Sequence, residues 1–167
     1  LTTRNPKYKQ VRDDMCAVAV AGQEVKDRLC RLVDEDTDSF NRMMDAMRLP
    51  KDTEEEAAVR TAAIQNATKD ATLIPFTVME QSLKAMDLAR AVADQGMASS
   101  ASDAGVGALM ARAAVEGAWL NVKINVPGID DKPWVEDLLT RGEEIVRKAS
   151  EGVDNVLAAV NANIAEG

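Results

Sequence analysis

Asp36 is the residue whose position most suggests chemistry. Apolar residues repeat around it at helical spacing, which predicts a buried stripe passing on or beside this carboxylate. The stripe consists of Leu29, Val33, Asp36, Phe40 and Met43. A buried carboxylate must be paired, hydrogen-bonded or protonated, and desolvation favours a protonated form suited to proton transfer. Asp36 also belongs to an acidic run over residues 34–38, typical of a solvated face, so periodicity leaves both interpretations open.

Two amides stand out further along the chain. Asn121 and Asn125 are four residues apart in an apolar helical pattern, so both lie on one face of the predicted helix. Their side chains can hydrogen-bond to neighbouring helices, or they can read the donor and acceptor edge of a heterocycle. Lys123 points away from that face and fits a surface lysine whose stem covers apolar neighbours.

Three polar residues sit where helices are predicted to begin. Asp103 directly follows Ser102 at the start of the third predicted helix, a place typical of capping and of favourable interaction with the helix dipole. Lys51 follows Pro50 in a turn before another helix and is well placed for an anion, although such residues are usually simple surface lysines.

Composition restricts the chemistry that any of these residues can perform. The chain has 167 residues, no histidine and a net charge of −8. The missing histidine excludes serine–histidine and cysteine–histidine catalysis and histidine metal sites, and the acidic balance argues against nucleic acid as a partner. Cys16 and Cys30 are about 21 Å apart along one predicted helix, so we expect two reduced, partly buried thiols in a cytoplasmic protein. No apolar run reaches the roughly 18 residues of a membrane span.

The elements that must position these residues are four long helices. Aromatic residues make up only 3% of the chain and no useful strand alternation occurs, so we predict an all-α fold. Prolines, glycines and caps divide the chain into helices over about 6–48, 54–95, 102–126 and 131–163, the second kinked or split at Pro75. The third is apolar nearly all round, which predicts neighbours on several sides. Short linkers favour an antiparallel up-and-down bundle forming a single domain over 1–167, and we expect a homodimer.

Five stretches of the chain together resemble the cyclodeaminase domain of formiminotransferase-cyclodeaminase. They occur in that family's order and spacing and cover nearly the whole chain. The stretches are Leu32–Asp36, Ala46–Lys51, Ala71–Pro75, Ser102–Leu109 and Gly117–Asn125. The resemblance implies an antiparallel helical bundle that dimerises, with a folate pocket between helices.

The resemblance also implies a reaction and a set of site residues. An ammonia-lyase of this family closes 5-formiminotetrahydrofolate to 5,10-methenyltetrahydrofolate in histidine degradation, and the reaction needs no redox cofactor or metal. The family's catalytic aspartate matches Asp36. Motif positions near the pocket match Ser102, Asp103, Asn121, Asn125, Lys51 and Lys123, which are expected to bind the substrate.

The sequence also departs from the family. Members carry an earlier helix that opens with a proline- and glycine-rich segment lining the pocket. This chain begins near where that helix ends, at Leu1 and Thr2, and we expect it to lack that helix. Two alternatives stay open: a methenyltetrahydrofolate cyclohydrolase, and a non-catalytic helical assembly module in which Asp36 is solvated with no cavity beside it. For the cyclodeaminase reaction, we expect a formiminotransferase domain or protein as a partner.

Overall fold

Four long helices make up most of the molecule. The structure, a computed structural model, describes residues 2–166; Leu1 and Gly167, the two ends of the predicted domain, lie outside the described residues. The helices are α1 (Arg12–Arg48), α2 (Glu54–Gln95), α3 (Ala101–Asn125) and α4 (Lys132–Glu166). Short 3-10 turns cover Thr2–Arg4, Pro6–Val11, Ala98–Ser100 and Val126–Gly128. The all-α bundle predicted from the sequence is confirmed. None of the helices in this range is long and apolar enough to cross a membrane.

Two helix starts carry the predicted caps, one of them with a shift, whereas α3 begins at Ala101 and has no side-chain cap from Ser102 or Asp103. Asn5 accepts a hydrogen bond from the Lys7 amide at 3.0 Å, but the chain forms 3-10 turns there and regular α-helix begins only at Arg12. At the start of α2, the Thr53 hydroxyl accepts from the Glu56 amide at 3.1 Å, and the Glu56 carboxylate accepts from the Thr53 amide at 3.1 Å. This capping box satisfies amides that a helix start leaves unpaired.

Helix α2 is the centre of the bundle. It packs against α1, α3 and α4, whereas α3 packs mainly against α2 and α4. Of the two effects predicted for Pro75, a kink or a split of α2, the split does not occur, because the helix runs unbroken from Glu54 to Gln95. Tertiary packing on three sides compensates for the hydrogen bond that a proline removes.

The core lies between α2, α3 and α4. One buried cluster joins the end of α2 to the start of α3 and the end of α4, and a second fills the other half of the same three helices. Their largest members include Phe76, Met79, Met86, Leu138 and Val156. Helix α1 contributes to neither cluster and lies on the outside of α2, which leaves a space between α1 and α3.

The expectation that α3 has neighbours on several sides is only partly met. One side is buried, but its opposite side exposes large apolar residues that no other described element covers. These residues are Val106, Leu109, Met110, Leu120 and Ile124. We call them the open face of α3.

Candidate functional site

A long groove runs between α1 and α3, with α2 as its floor. It has two adjoining parts, of about 460 Å³ and 640 Å³, and Asp36, Pro75 and Asn121 line both of them. We call this space the α1–α3 groove. The remaining lining residues are mostly apolar, including Leu32, Val33, Phe40, Met43, Ile74, Val78 and Ile124. A concave, mostly apolar space with a few polar groups is the usual form of a small-molecule site.

Of the two environments that periodicity left open for Asp36, a buried stripe and a solvated acidic face, the structure shows the exposed one. Asp36 is exposed on the groove wall, and its neighbours Val33 and Phe40 are 68% and 63% exposed. Burial on α1 instead follows a seven-residue repeat through Val25, Leu32, Ser39 and Ala46, which face α2. The sequence stripe therefore marks residues that line the groove or face solvent, because periodicity identifies an apolar face without showing whether anything covers it.

The acidic run around Asp36 is not uniform. Glu35 pairs with Arg28, two turns earlier on α1, through two hydrogen bonds, one of 3.0 Å. These bonds hold the pKa of Glu35 below its usual value. Asp36 lines the groove and has no ion pair within residues 2–166. One acid of the run is thus held by an arginine, while Asp36 faces the groove without an ion pair.

The two amides of α3 lie on the wall opposite Asp36. Asn121 lines both parts of the groove and Asn125 lines the larger one, as their shared helix face predicted. The structure therefore brings three of the seven predicted site residues together. Their roles in binding and catalysis stay predictions.

Ser102 and Asp103 lie at the other end of α3. Eighteen residues separate Asp103 from Asn121, which is about 27 Å of helix. Both residues are exposed, and neither lines the α1–α3 groove. One chain therefore cannot place them at the same ligand as Asp36 and Asn121. The 18 residues make five whole helical turns, so Asp103 and Asn121 nevertheless lie on the same side of α3.

The two predicted lysines also lie outside the groove. Lys51 is exposed in the turn between α1 and α2. Lys123 is exposed on the far side of α3 from Asn121, with its Nζ 5.6 Å from the centre of the Trp119 ring. This position agrees with a surface lysine whose stem covers an aromatic side chain.

The two cysteines sit on the same helix as Asp36 but take no part in the groove. Cys16 and Cys30 are both free. They are exposed, so the expectation of partly buried thiols is wrong. The described residues also contain no group of three or more acidic or cysteine side chains placed to hold a metal.

Gln65 holds the end of the groove in place, a role that sequence reasoning missed. Its side-chain amide donates to the Gly128 carbonyl at 2.9 Å, and its oxygen accepts from the Asp130 amide at 2.8 Å. Gly128 lines the groove just beyond Asn125. An amide that satisfies both a donor and an acceptor of one turn fixes that turn against α2.

A second cavity, of about 620 Å³, lies between α2 and α4 and differs in chemistry. Its lining is rich in charge, and four of these charges pair with one another: Arg141 with Glu80 at 3.4 Å, and Lys148 with Glu144 at 3.4 Å. Exposed pairs of this kind are typical of a solvated surface. In the α1–α3 groove, by contrast, Asp36 is the only ionisable side chain among the lining residues that the structure describes.

Comparison with known proteins identifies the family of this chain. The family model described as Formiminotransferase-cyclodeaminase matches residues 1–144. The chain belongs to this family. The resemblance found in the sequence motifs is thereby confirmed over most of the chain.

Individual relatives of the formiminotransferase-cyclodeaminase family carry two different names. A methenyltetrahydrofolate cyclohydrolase from Methylorubrum extorquens is 34% identical over 98% of this chain and 79% of its own length. The formimidoyltransferase-cyclodeaminase of Gallus gallus is 32% identical over 91% of this chain, but the match spans only 28% of that protein. Family membership thus indicates a folate-processing enzyme without choosing between the two reactions.

A solved family structure has the same fold. The formiminotetrahydrofolate cyclodeaminase from Thermotoga maritima superposes with a TM-score of 0.84 over 96% of this chain and 76% of its own. Its sequence identity is 22%, so the agreement concerns the helical architecture alone.

Proposed function

We propose that this protein converts 5-formiminotetrahydrofolate to 5,10-methenyltetrahydrofolate and ammonia, with Asp36 as the catalytic residue. The observation that carries the proposal is the single unpaired carboxylate in an otherwise apolar and amide-lined groove. Family membership supports folate as the substrate class.

The reaction needs positioning and one proton carrier. N10 of the folate attacks the formimino carbon, a five-membered ring closes, and the former imino nitrogen leaves as ammonia. N10 loses a proton and the leaving nitrogen gains one, so a single carboxylate can accept the first and return it as the second. This use of one group as base and then acid is ordinary general acid–base catalysis. We predict that the reaction needs no metal or redox cofactor.

Electrostatics favours the same assignment. The protonated formimino group and the methenyl product are both amidinium-type cations, with positive charge spread over nitrogen, carbon and nitrogen. Asp36 faces the groove with no lysine or arginine among the other lining residues to compete for it. Apolar walls strengthen its attraction for such a cation relative to water.

The amides of Asn121 and Asn125 are proposed to bind the substrate. Each offers a donor pair and an acceptor, which suits the mixed hydrogen-bonding edge of a pterin ring. Phe40 and Ile124 supply apolar surface beside them for the flat faces of the ring.

A cyclohydrolase is the second candidate. The relative from Methylorubrum extorquens that carries this name matches 98% of this chain and 79% of its own length, a far larger share than in the two-function protein from chicken. In that reaction water adds to the methenyl carbon and the bond to N5 breaks, giving 10-formyltetrahydrofolate. Asp36 would then take its proton from water rather than from N10.

One spectroscopic experiment separates the candidates. Methenyltetrahydrofolate absorbs in the near ultraviolet, so ring closure and ring opening change that signal in opposite directions. Given 5-formiminotetrahydrofolate, the cyclodeaminase makes the absorbance rise with release of equal amounts of ammonia. If the enzyme instead consumes added methenyltetrahydrofolate and does not turn over the formimino compound, the proposed function is the cyclohydrolase and not the cyclodeaminase. If neither reaction occurs and no folate binds, the remaining hypothesis is the non-catalytic helical assembly module.

We also propose a homodimer in which the open face of α3 meets a second copy running antiparallel. Gly107 and Gly117 lie at equal distances on either side of residue 112, and neither has an atom within 4 Å of where a methyl group would lie. Their symmetry allows two copies of α3 to approach closely about that point. This arrangement covers apolar side chains that are otherwise 47–77% exposed.

The same dimer would bring Asp103 and Ser102 to the groove. An antiparallel copy centred on residue 112 puts the partner's Asp103 level with Asn121. Mixing Asp36→Asn and Asp103→Asn proteins tests this, because a mixed dimer then contains one groove with both residues intact. Activity returns on mixing if the partner supplies Asp103, and stays absent if each chain uses its own.

The remaining assignments are proposals of the same kind. Lys51 is proposed to contact the acidic tail of the folate beyond the groove, whereas the position of Lys123 on the far side of α3 does not favour that role within one chain. A formiminotransferase, fused or separate, is the proposed source of the formimino substrate in histidine degradation, and we place the protein in the cytoplasm.

A further inference from the structure

The chain between α3 and α4 forms one rim of the α1–α3 groove. We call residues 126–131 the α3–α4 connection. It directly follows Asn125, the last residue of α3, and both Asn125 and Gly128 line the larger part of the groove. Whatever fixes this connection therefore also fixes one wall of the site.

Two side chains of α2 hold the α3–α4 connection in place. Gln65 and Lys69 are four residues apart, so they lie on the same side of α2. The Gln65 side chain donates to the Gly128 carbonyl at 2.9 Å and accepts from the Asp130 amide at 2.8 Å, and the Lys69 Nζ donates to the Asp131 carboxylate at 2.7 Å. In the part of the chain that the structure describes, every hydrogen bond between α2 and this connection comes from these two side chains.

Gln65 and Lys69 can affect a ligand only through the connection that they hold. Neither residue lines either part of the groove. Asn125 is the lining side chain most dependent on them, because it lies in the last turn of α3, where carbonyls lack helical partners and helix ends fray. Asn121 lies one turn further inside the helix and depends on them less.

We infer that Gln65 and Lys69 are positioning residues of the ligand site, which hold the Asn125 amide where it meets the ring of the ligand. This inference rests on the proposed folate substrate and deepens it, because it assigns part of the affinity for folate to two residues that do not touch the ligand. Without these bonds, the end of α3 must be ordered at each binding event, and that ordering weakens binding.

Gln65→Leu removes both hydrogen bonds and keeps the size and helix propensity of the side chain. Calorimetric titration with 5-formyltetrahydrofolate, a stable probe, should give about three- to tenfold weaker binding than in the wild type, the value of one neutral hydrogen bond. In turnover, KM should rise while kcat changes little, since Asp36 lies on the opposite wall of the groove.

Asn125→Ala tests whether the effect passes through the Asn125 amide. This variant should weaken binding of the probe by itself. Adding Gln65→Leu to it should change the affinity hardly further, because the side chain that Gln65 positions is already gone. A purely structural role of Gln65 would instead give two independent effects that add.

Gln81→Leu is the matched control. Gln81 is a half-buried glutamine of the same helix that lines a different cavity, so this variant should keep wild-type affinity and KM. Lys69→Met removes the ion pair with Asp131 and keeps the apolar stem of the side chain. It should weaken binding in the same direction as Gln65→Leu, and it replaces that variant if the leucine protein folds poorly.

The outcomes are distinct. Wild-type affinity in both Gln65→Leu and Lys69→Met overturns the inference and leaves the proposed function intact, even if these variants melt at a lower temperature. Fully additive effects of Gln65→Leu and Asn125→Ala overturn it in the same way. Absence of binding of 5-formyltetrahydrofolate to the wild-type protein overturns the proposed function and this inference with it.

Discussion

Asp36 of α1 and Asn121 of α3 line the same groove above Pro75, although α2 separates the helices that carry them. This relationship is produced by the bundle and not by either helix alone. Helix α1 packs on one side of α2 and α3 on another, so a carboxylate and an amide face a shared space. The proposed chemistry depends on that separation, because a folate ring must fit between them.

Asn121→Asp should change the pH dependence of turnover. The variant puts a second carboxylate in the groove that Asp36 lines, and like charges make ionisation of the pair harder. The acid limb of the pH–rate profile should then move upward by about one pH unit. Asn121→Ala is the control: it should raise KM without moving the limb. An unmoved limb in the aspartate variant would mean that the two side chains do not share one ligand.

Met110→Glu should prevent self-association. Met110 is 66% exposed on the open face of α3, and a carboxylate there would be buried without a partner in the proposed dimer. Sedimentation velocity should show a dimer for the wild type and a monomer for the variant. Val59→Glu alters an apolar residue that is 58% exposed on α2 and should leave the dimer intact. A monomeric wild-type protein would contradict the proposed dimer.

Gly142→Ala and Gly22→Ala should change stability in opposite directions. A methyl group at residue 142 would overlap the Trp119 ring, so Gly142→Ala should destabilise the fold by about 1–3 kcal/mol. Gly22 has open space around it inside α1, where alanine should stabilise by about 0.5–1 kcal/mol. Urea unfolding measures both free energies. A neutral Gly142→Ala would show that Trp119 repacks at no cost.

Glu144 gives a pH dependence whose sign follows from its pKa. Hydrogen bonds from Arg147, and further from Lys148, lower the pKa of Glu144 from 4.5 to about 2. A depressed folded-state pKa adds stability that is complete above 4.5 and is lost as the pH falls towards 2. Glu144→Gln should therefore melt slightly below the wild type at neutral pH, and the gap should close across that window. The effect is small because the pair is exposed. If the difference in melting temperature between the two proteins does not change with pH, ionisation of Glu144 is not its cause.

The sequence predicted the elements better than their environment. Caps and prolines located the helices because those signals are local: the Thr53–Glu56 capping box lies where it was expected. Burial was less predictable. Asp36 and the two cysteines are exposed, and α3 has an open face, because an apolar pattern does not show which helix covers it. Ser39 was missed although its seven-residue spacing from Leu32 and Ala46 marks it as a small polar residue in the buried register.

The proximity of Asp36 and Asn121 in the groove was predictable only from the resemblance to a family. Asp36 and Asn121 lie far apart in sequence, and no local pattern links them. They were paired because each belongs to a motif of one family, and the structure then brought both to one groove. Ser102 and Asp103 show the limit of that reasoning, because they belong to the same family motifs and yet lie at the other end of α3 from Asn121, outside the groove.

The central claim is that the Asp36 carboxylate carries the proton during ring closure. Near-ultraviolet measurement of methenyltetrahydrofolate formation from 5-formiminotetrahydrofolate, with ammonia measured in parallel, tests it in Asp36→Asn. That variant keeps the size of the side chain but cannot accept the proton, so turnover should fall by about 100-fold or more while the helical circular dichroism is unchanged. Asp34→Asn, an exposed neighbour outside the groove, should turn over like the wild type. Wild-type turnover in Asp36→Asn would contradict the account.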